Sequence, residues 1–249
     1  MIRILKFFLA QNGLVTKLKM IAIIIQARMG SSRLPGKVLK EINGICILNI
    51  LLKRISQSKK VSKIIIATTH LKEDAEIVKF CKLKKIDYFC GSKNNLIKRY
   101  IDASIKFNID HIVRLTADCP LIDPKILDKV IEIYFKKNLD YCSNTCPPQL
   151  SKFPDGSDVE IFSYHSLKKI SKLNLGKDYK EHLTKFFWKH NKFKRFTLKN
   201  KNNLSNFKYS VDTINDFKKI ERIIEYFKSK IYTITTNQII SYLKNDIQK

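Results

Sequence analysis

Three basic residues and two glycines stand within ten positions of one another, directly after an apolar run. The run, Ile-Ala-Ile-Ile-Ile at 21–25, ends at Gln26 and is typical of a strand buried on both faces. The loop after it contains Arg28, Gly30, Ser31, Ser32, Arg33, Pro35, Gly36 and Lys37. Glycines let a backbone turn sharply and bring its N–H groups close to an anion, and the three cations can neutralise a polyphosphate. The stretch therefore indicates a phosphate-binding loop of the kind that follows a strand in nucleotide-binding α/β proteins.

The spacing excludes two common phosphate loops. The P-loop requires four residues between its first glycine and a Gly-Lys pair, and then Ser or Thr. Here five residues separate Gly30 from Gly36 and Lys37, and Val38 follows. The G-x-G-x-x-G fingerprint of dinucleotide-binding proteins is also absent from the sequence. A surface turn with solvated cations is the alternative interpretation, and it fits less well with so apolar a strand directly before the loop.

A second candidate site lies in the segment Arg-Leu-Thr-Ala-Asp-Cys-Pro-Leu-Ile-Asp-Pro at 114–124. A strand is predicted to end near Leu115, which places Asp118 just beyond its carboxyl end, the edge where open parallel sheets bind ligands. A carboxylate there can hold Mg2+ against phosphate oxygens. The alternative for Asp118 is a turn or helix N-cap. Asp123, directly before Pro124, fits a cap better.

A third segment, Tyr-Ser-Val-Asp-Thr-Ile-Asn-Asp-Phe at 209–217, pairs a predicted strand end with a predicted helix start. Asp212 stands at the strand end, and Asp216 stands in the first turn of the helix, where a negative charge is favourable. The spacing alone leaves Asp212 as either a metal ligand or a helix cap.

These motifs carry a family resemblance that runs from about residue 21 to residue 217. The stretch QARMGSSRLPGKVL resembles the signature loop of the sugar-activating cytidylyltransferases. It is closest to the spore coat polysaccharide biosynthesis protein F group, and it is related to the CMP-KDO and CMP-sialate synthetases. ADCPLIDP is similar to the GDEPLI-type segment of CMP-KDO synthetases, and VDTINDF is similar to the family's VDT-x-x-D-L segment. The resemblance implies that Asp118 and Asp212 together hold Mg2+.

Two further segments match the same family. PDGSDVE at 154–160 resembles its PDG-x-DVE stretch, and KEHLT at 180–184 resembles its R-E-H-x-T stretch. The resemblance implies that both lie near the sugar, so the expected acceptor-binding residues are Asp155, Glu160, Glu181 and His182. His182 could serve as a general base, although a single histidine in a helix is more often packed or hydrogen-bonded. Lys180 and Cys90 stand where the family usually or often has arginine, which leaves the identity of the acceptor open.

The resemblance implies a Mg2+-dependent cytidylyltransferase that joins CTP to a sugar, with a 2-keto-3-deoxy acid sugar as the expected acceptor, and releases pyrophosphate. The catalytic residues implied are Arg28, Arg33, Lys37 and Asp118. The nucleotide contacts implied are Ala27, Arg28, Gly30, Ser31, Ser32, Arg33, Lys37, Ala67, Thr68 and Asp118. A different NTP or a sugar 1-phosphate remains an alternative within the same fold. A basic protein that binds nucleic acid or acidic glycan is the alternative from a different class.

Strand and helix patterns alternate along the first half of the chain. Helical spacing occurs at 45–55, 72–84, 95–107 and 125–136, and strand-like runs occur at 61–69, 87–89 and 111–115. This alternation predicts a parallel sheet with right-handed crossovers. With the resemblance, the expected class is α/β, a Rossmann-like three-layer nucleotide-diphospho-sugar transferase (GT-A-like) fold with a mostly parallel central sheet.

The second half of the chain has a less regular pattern. Three prolines and a glycine make 141–156 a predicted long loop. Strands are expected at 159–162, 193–198 and 207–211, and helices at 163–173, 180–190, 214–227 and 237–243. We expect this half to be a small cap and dimerisation region of a homodimer, within one domain that spans 20–249.

The formal charge of +26 comes from 48 basic and 22 acidic residues. Only 8 of the basic residues are arginine, and lysine is the poorer residue for bidentate recognition of bases or phosphates. The chain is also rich in isoleucine and asparagine, a bias that fits an AT-rich genome with lysines on solvated faces. The densest basic stretch, at 189–201, contains Phe193 and Phe196, which we expect to be packed. The charge is therefore not expected to indicate a nucleic-acid partner.

The remaining features point to a cytoplasmic protein. Six cysteines, without a CxxC pair, are expected to be reduced thiols. No apolar run approaches the length of a membrane span, so membrane insertion is not expected. Residues 1–19 contain an apolar patch at 4–10 that is too short for a signal peptide. Met20 stands directly before the first strand, and we expect residues 1–19 to be a disordered or non-native extension.

Overall fold

The computed structural model describes residues 19–173 and 176–247, and β-strands and α-helices alternate along most of this length. The strands are β1 Ile21–Gln26, β2 Glu41–Ile42, β3 Ile45–Cys46, β4 Lys63–Thr69, β5 Asp87–Gly91, β6 His111–Thr116, β7 Tyr141–Ser143, β8 Glu160–Ser163 and β9 Arg195–Thr197. The α-helices are α1 Ile47–Ile55, α2 Ala75–Lys84, α3 Leu96–Lys106, α4 Pro124–Lys136, α5 Tyr164–Ser171, α6 Lys177–Glu181, α7 Lys185–Lys189, α8 Ile214–Phe227 and α9 Thr236–Ile247.

The central sheet has seven strands in the order β5-β4-β1-β6-β8-β7-β9. The first four of these are parallel, as the sequence predicts, with β1 between β4 and β6. β8 runs antiparallel to both β6 and β7, and β9 pairs parallel to β7. The sheet is therefore mostly parallel, and the carboxyl ends of β1, β4 and β6 meet at one edge.

Side chains of β1 alternate between the two faces of the sheet, and each face carries its own hydrophobic cluster. Ile23 and Ile25 pack with apolar residues of α1, α2 and α4. Ala22 and Ile24 pack with apolar residues of α3, α5 and α7 on the opposite face. The helix–sheet–helix layering explains why the run at 21–25 is apolar on both faces. A third cluster joins α8 and α9 to α1 and to the loop residue Leu34.

Local signals set several helix starts. Asp123 caps α4 by accepting a hydrogen bond from the Lys125 backbone N–H at 2.9 Å, with Pro124 at the first helical position. The prediction that Asp123 is a cap is therefore confirmed. Thr213 and Asp216 form a capping box at the start of α8, which assigns the cap of that helix to Thr213 and leaves Asp212 outside it.

The second half differs from the sequence predictions in three places. The predicted loop at 141–156 begins with β7, which is only three residues long and joins the sheet. The helix predicted at 180–190 is interrupted between α6 and α7. The segment at 207–211 forms a single bridge, between Lys208 and Asp155, rather than a strand. Its backbone instead holds site loops, since Tyr209 N–H donates to the Asp155 carbonyl and Val211 N–H donates to the Asp118 carbonyl.

Two predictions about the ends and surface of the chain have separate outcomes. The expected extension at 1–19 lies outside the described residues, apart from Lys19, and a single domain over 20–249 stays a prediction.

In the part of the chain that the structure describes, the helices are all too short or too polar to cross a bilayer. Phe193 packs against Phe186 and Phe187, and Phe196 packs against the first hydrophobic cluster, so both are packed as expected.

Candidate active site

Two backbone N–H groups of the loop after β1 donate to the same carbonyl group. Met29 O accepts hydrogen bonds from Ser31 N–H at 2.8 Å and from Gly36 N–H at 2.9 Å. Gly36 has φ +68°, a left-handed conformation that favours glycine. Met29 N–H in turn donates to buried Asp74 at 2.7 Å, which anchors the loop to the chain after β4. Backbone contacts rather than basic side chains therefore set the loop conformation.

The Lys37 side chain connects the loop to the aspartates of the other two motifs. Its ammonium donates to Asp118 Oδ2 at 2.8 Å, to Asp212 Oδ1 at 3.2 Å and to the Val211 carbonyl at 2.6 Å. The lysine side chain is only 10% exposed, so these contacts are shielded from water. Three motifs that are far apart in the sequence therefore meet at one ammonium group.

Asp212 is surrounded by cations. Arg33 lies 3.0 Å from Asp212 Oδ1, and Lys208 donates to Asp212 Oδ2 at 2.9 Å. Partial burial acts to raise the pKa of Asp212, but hydrogen bonds from Lys208 and Lys37 outweigh it, and the pKa is lowered. Asp212 is therefore held as a carboxylate that faces the loop cations.

Asp118 and Asp212 fit a divalent metal ion. An ammonium already lies between the two carboxylates, so the position suits a cation. Within 19–173 and 176–247, no group of three or more His, Cys, Asp or Glu side chains is placed to hold a metal by itself. Mg2+ commonly takes one or two protein carboxylates and completes its shell with water and substrate phosphates. The donor set is therefore compatible with a divalent metal ion that is bound together with a nucleotide, and the metal role of the pair stays a prediction.

A cavity of about 420 Å³ opens beside the two aspartates. Five carboxylates line it, from Asp118, Asp155, Asp158, Glu160 and Asp212. Its basic lining residues are Arg114, His182 and Lys185, and Trp188 and Ser210 also line it. The predicted acceptor residues Asp155, Glu160 and His182 are thus brought together around one space. Glu181 ends α6 and does not belong to this lining.

Glu160 is buried, and both of its carboxylate oxygens are engaged. Arg114, on the neighbouring strand β6, forms an ion pair with Oε1, and the Tyr141 hydroxyl donates to Oε2 at 3.0 Å. Arg114 Nε also contacts the Gln26 side-chain oxygen at 3.2 Å. Glu160 therefore helps to fix the wall of the cavity and the position of Arg114.

The PDGSDVE turn presents two further carboxylates to the cavity. Gly156 has φ +103°, and its N–H donates to Asp158 Oδ2 at 3.0 Å. Burial raises the pKa of Asp158, while the hydrogen bond from the Gly156 N–H acts against that rise. Asp155 is exposed at the mouth.

The other predicted nucleotide-binding residues lie along the edge formed by β1 and β4. Ala27 N–H donates to the Ala67 carbonyl at 3.2 Å, which joins the two strand ends. Thr68 is buried, and its hydroxyl has no hydrogen-bond partner among the described residues. In the loop, Arg28, Gly30 and Ser32 are exposed, and Ser31 is half-buried.

Several residues of the cavity and of the aspartate cluster are not predicted from the sequence. Trp188 carries a usable signal, because it is the single tryptophan of the chain and follows the KEHLT motif. Arg114 is a charged residue between the apolar Val113 and Leu115 in β6, which is also a signal. Lys208 and Ser210 stand among ordinary polar residues, so only the folded chain reveals them as part of the site.

Comparison with known sequences gives a consistent result. A family model described as Cytidylyltransferase matches residues 22–248. An uncharacterized protein of Methanocaldococcus jannaschii is 36% identical over 228 residues, which are 90% of each chain. The spore coat polysaccharide biosynthesis protein SpsF of Bacillus subtilis is 33% identical over 68% of this chain and 70% of its own. The 3-deoxy-manno-octulosonate cytidylyltransferase of Chlorobium chlorochromatii is 32% identical over 56% of this chain and 57% of its own.

Solved structures agree in fold. A cytidylyltransferase from Leptospira borgpetersenii has a TM-score of 0.86 at 34% identity, covering 92% of this chain and 96% of its own. A CMP:2-keto-3-deoxy-manno-octonic acid synthetase complexed with CTP has a TM-score of 0.62 at 17% identity, covering 84% of this chain and 99% of its own, which shows a shared fold alone. The predicted fold class is confirmed. The match over nearly the whole described chain shows that this protein belongs to the cytidylyltransferase family.

Proposed function

We propose that the protein transfers the cytidylyl group of CTP to a 2-keto-3-deoxy acid sugar, in a Mg2+-dependent reaction that releases pyrophosphate for surface polysaccharide or glycan synthesis. The observation that carries the proposal is the convergence of Arg33 and Lys37 with Asp118 and Asp212 beside a cavity. The proposal is supported because this arrangement would supply cations for a triphosphate, carboxylates for a metal ion and space for an acceptor, all next to one another.

The loop supplies binding and electrostatic stabilisation. Arg28, Arg33 and Lys37, with the backbone N–H groups around Gly30, would hold the β- and γ-phosphates. An acceptor hydroxyl would attack the α-phosphorus in line, forming the new P–O bond as the bond to the bridging oxygen of pyrophosphate breaks. The loop cations would then offset the charge that develops on the leaving pyrophosphate.

Asp118 and Asp212 would hold Mg2+, which supplies charge neutralisation at the α-phosphate and lowers the pKa of the attacking hydroxyl. Lys37 contacts both carboxylates and belongs to the loop, so its ammonium would lie between the metal ligands and the phosphates. Ala27, Ala67 and Thr68 lie at the strand ends next to the loop, where they would face the base.

The cavity is the proposed acceptor site. Trp188 offers an apolar face of the kind on which sugar rings pack, and Asp155 would accept hydrogen bonds from sugar hydroxyls. His182 and Lys185, which both also contact Asp178, are the basic side chains of the cavity lining that would meet an acceptor carboxylate, because Arg114 is paired with buried Glu160. A relative that covers half of this chain is a 3-deoxy-manno-octulosonate cytidylyltransferase, which supports an acid sugar as acceptor.

A thermal-shift screen tests the nucleotide. A ligand that binds only the native state raises the melting temperature of the protein. CTP with Mg2+ should therefore raise Tm more than ATP, GTP or UTP with Mg2+. Asp118→Asn should abolish CTP-dependent pyrophosphate release while the protein remains folded. An equal shift with all four nucleotides, or a larger shift with a different one, would overturn the choice of CTP. Insensitivity to every NTP, combined with salt-dependent retention on DNA, would instead support the basic binding protein.

Two proposals concern the protein in the cell. We propose a homodimer, which size-exclusion chromatography with light scattering would detect. We also place the protein in the cytoplasm, where CTP is available.

A further inference from the structure

Lys208 contacts both the PDGSDVE turn and a proposed metal ligand. Its backbone forms a bridge with Asp155 of that turn, and the Asp155 N–H donates to the neighbouring Phe207 carbonyl at 3.0 Å. Its ammonium donates to Asp212 Oδ2 at 2.9 Å and to Asp216 Oδ2 at 3.2 Å. A backbone that is held by the turn therefore directs the Lys208 ammonium to the Asp212 carboxylate.

Asp216 fixes the position of this ammonium. Its Oδ2 accepts hydrogen bonds from the Asp212 N–H at 3.1 Å, from the Thr213 N–H at 2.9 Å and from the Thr213 hydroxyl at 3.0 Å. Asp216 and Thr213 form the capping box of α8, so this carboxylate cannot move without disturbing the start of the helix. The ammonium of Lys208 therefore lies between Asp212 and a carboxylate that the backbone holds in place.

The two oxygens of the Asp212 carboxylate have different partners. Oδ1 lies 3.2 Å from the Lys37 ammonium and 3.0 Å from the Arg33 guanidinium, and both of these cations come from the loop after β1. Oδ2 lies 2.9 Å from the Lys208 ammonium. Because Lys37 also contacts Asp118, Oδ1 shares a cation with the other proposed metal ligand. Oδ2 is instead paired with a cation from the segment before α8.

We propose that Lys208 is a positioning residue that occupies Asp212 Oδ2, so that a divalent cation is offered only Oδ1 of this carboxylate. The proposal rests on the proposed function, in which Asp118 and Asp212 hold the metal ion. A divalent cation at Oδ2 would lie beside the Lys208 ammonium and be repelled by it. Lys208 therefore prevents the Asp212 carboxylate from binding a cation through both oxygens.

This restriction makes the site selective between metal ions. Mg2+ demands near-ideal octahedral geometry, and the two oxygens of one carboxylate lie too close together to fill neighbouring octahedral positions. Ca2+ is larger, and it also accepts carboxylates that bind through both oxygens. By leaving a single oxygen of Asp212 for the metal ion, Lys208 favours Mg2+ over Ca2+.

The ratio of the Ca2+ affinity to the Mg2+ affinity separates this role from a merely structural one. Local loosening of the site would weaken the binding of both ions alike. Loss of one positive charge would strengthen the binding of both ions alike, because they carry the same charge. The ratio cancels both effects, whereas release of Asp212 Oδ2 for a second metal contact benefits Ca2+ alone.

The test is displacement of bound Mn2+ by Ca2+ and by Mg2+ in the protein without nucleotide, measured by electron paramagnetic resonance of free Mn2+. In Lys208→Met the ratio of Ca2+ to Mg2+ affinity should rise by about tenfold or more, the factor that one charge-assisted hydrogen bond contributes. Lys208→Arg keeps a cation beside Asp212 and should keep the wild-type ratio.

Lys219→Met is the matched control, because it removes the same charge from the same region. Among the described residues, the Lys219 ammonium donates to the Lys208 carbonyl at 3.3 Å and not to Asp212 or Asp216. This variant should therefore keep the wild-type ratio of affinities. Asp212→Asn should lose Mn2+ binding, which locates the measured metal ion at the site. The Lys208 side chain is 33% exposed, so its variants should remain folded, and their Tm checks this.

An unchanged ratio in Lys208→Met, or an equal rise in Lys219→Met, would overturn the proposal while the proposed function stands. Mn2+ binding that is absent from the wild type, or that survives in Asp212→Asn, would overturn the proposal together with the metal site. Tm with CTP and Mg2+ is measured on the same samples. A missing CTP shift would count against the proposed function alone, because the ratio is measured without nucleotide and still decides the role of Lys208.

Discussion

The ammonium of Lys37 lies 2.8 Å from Asp118 Oδ2, a contact between residues 81 positions apart in the chain. It joins the loop after β1 to the end of β6, and the further contact with Asp212 adds the segment before α8. A single lysine therefore lies where a cation would bind and also belongs to the loop expected to hold phosphates. A metal ion bound as proposed would compete with its ammonium for the same two carboxylates.

Lys37→Met should therefore strengthen metal binding in the absence of nucleotide while it abolishes turnover. Contacts of a charged donor with carboxylates contribute about 1.5–3 kcal/mol, so the affinity for Mn2+ should rise by roughly tenfold or more. Electron paramagnetic resonance of free Mn2+ measures this directly. Asp118→Asn and Asp212→Asn, as controls, should lose Mn2+ binding and pyrophosphate release together. Unchanged Mn2+ affinity in Lys37→Met would show that the lysine and the metal ion do not share a position.

Arg33→Ala should impair transition-state stabilisation at the triphosphate. The expected loss in kcat/KM is on the order of 2–4 kcal/mol, by analogy with removing one preorganised donor. The Arg33 side chain is 63% exposed, so its ion pair with Asp212 contributes little to folding, and Tm should barely change. Lys40→Ala, an exposed cation a few residues later, is the control. Turnover and CTP affinity equal to those of the wild type would refute the phosphate-loop assignment. A DNA-binding protein with dispersed lysines would likewise be insensitive to the loss of this one arginine.

Gly156→Ala should destabilise the PDGSDVE turn. The glycine has φ +103°, and an added Cβ would meet the backbone of Tyr209 and Ser210 at 2.6–2.7 Å. Backbone strain and overpacking together should lower the free energy of unfolding by about 2–4 kcal/mol. Gly44→Ala separates the two causes, since Gly44 has φ +75° but no heavy atom within 4 Å of an added Cβ, and it should cost about 1 kcal/mol. Equal losses in urea denaturation would mean that the close approach at Gly156 is unimportant.

The buried His111 should make the free energy of unfolding decrease as the pH is lowered. Burial, with a smaller contribution from Lys19, lowers the pKa of His111 to about 4 in the folded state. Below the usual value of about 6.5 the unfolded chain binds a proton that the folded chain does not, so stability is full above pH 6.5 and is lost toward pH 4. The loss reaches about 3 kcal/mol.

His111→Gln should remove this part of the pH dependence, and His165→Gln, at an exposed position, should retain it. Urea denaturation of the three proteins between pH 7 and pH 4 measures the difference. Parallel curves for the wild type and His111→Gln would contradict the lowered pKa.

The elements that could be predicted from the sequence are those with local signals. A pattern of only a few residues is enough to predict the strand at 21–25, the glycine-containing loop and the Asp123–Pro124 start of α4. The pairing of Asp118 with Asp212 depended on the family resemblance, because spacing alone left Asp212 as a possible cap. The structure assigns the cap to Thr213 instead.

The rest depends on contacts between distant parts of the chain. β7 is three residues long, and its sequence lies next to prolines that favour a loop. The segment at 207–211 has the apolar alternation of a strand, but its N–H and C=O groups pair with site loops. Ser210 became visible as a site residue only when the fold buried its hydroxyl beside the cavity.

The site also divides along the chain. The loop at 27–37 belongs to the parallel half of the sheet, whereas Asp155, His182 and Trp188 come from the half that contains β7, β8 and β9. With the acceptor and nucleotide bound as proposed, substitutions at residues 144–190 would change which sugar is accepted, while Asp212, which follows that segment, would keep its contacts with the loop cations. In an evolving lineage, this separation lets acceptor preference diverge while the nucleotide half is inherited intact. In the laboratory, exchanging residues 144–190 between relatives becomes a rational way to transfer one enzyme's acceptor to another.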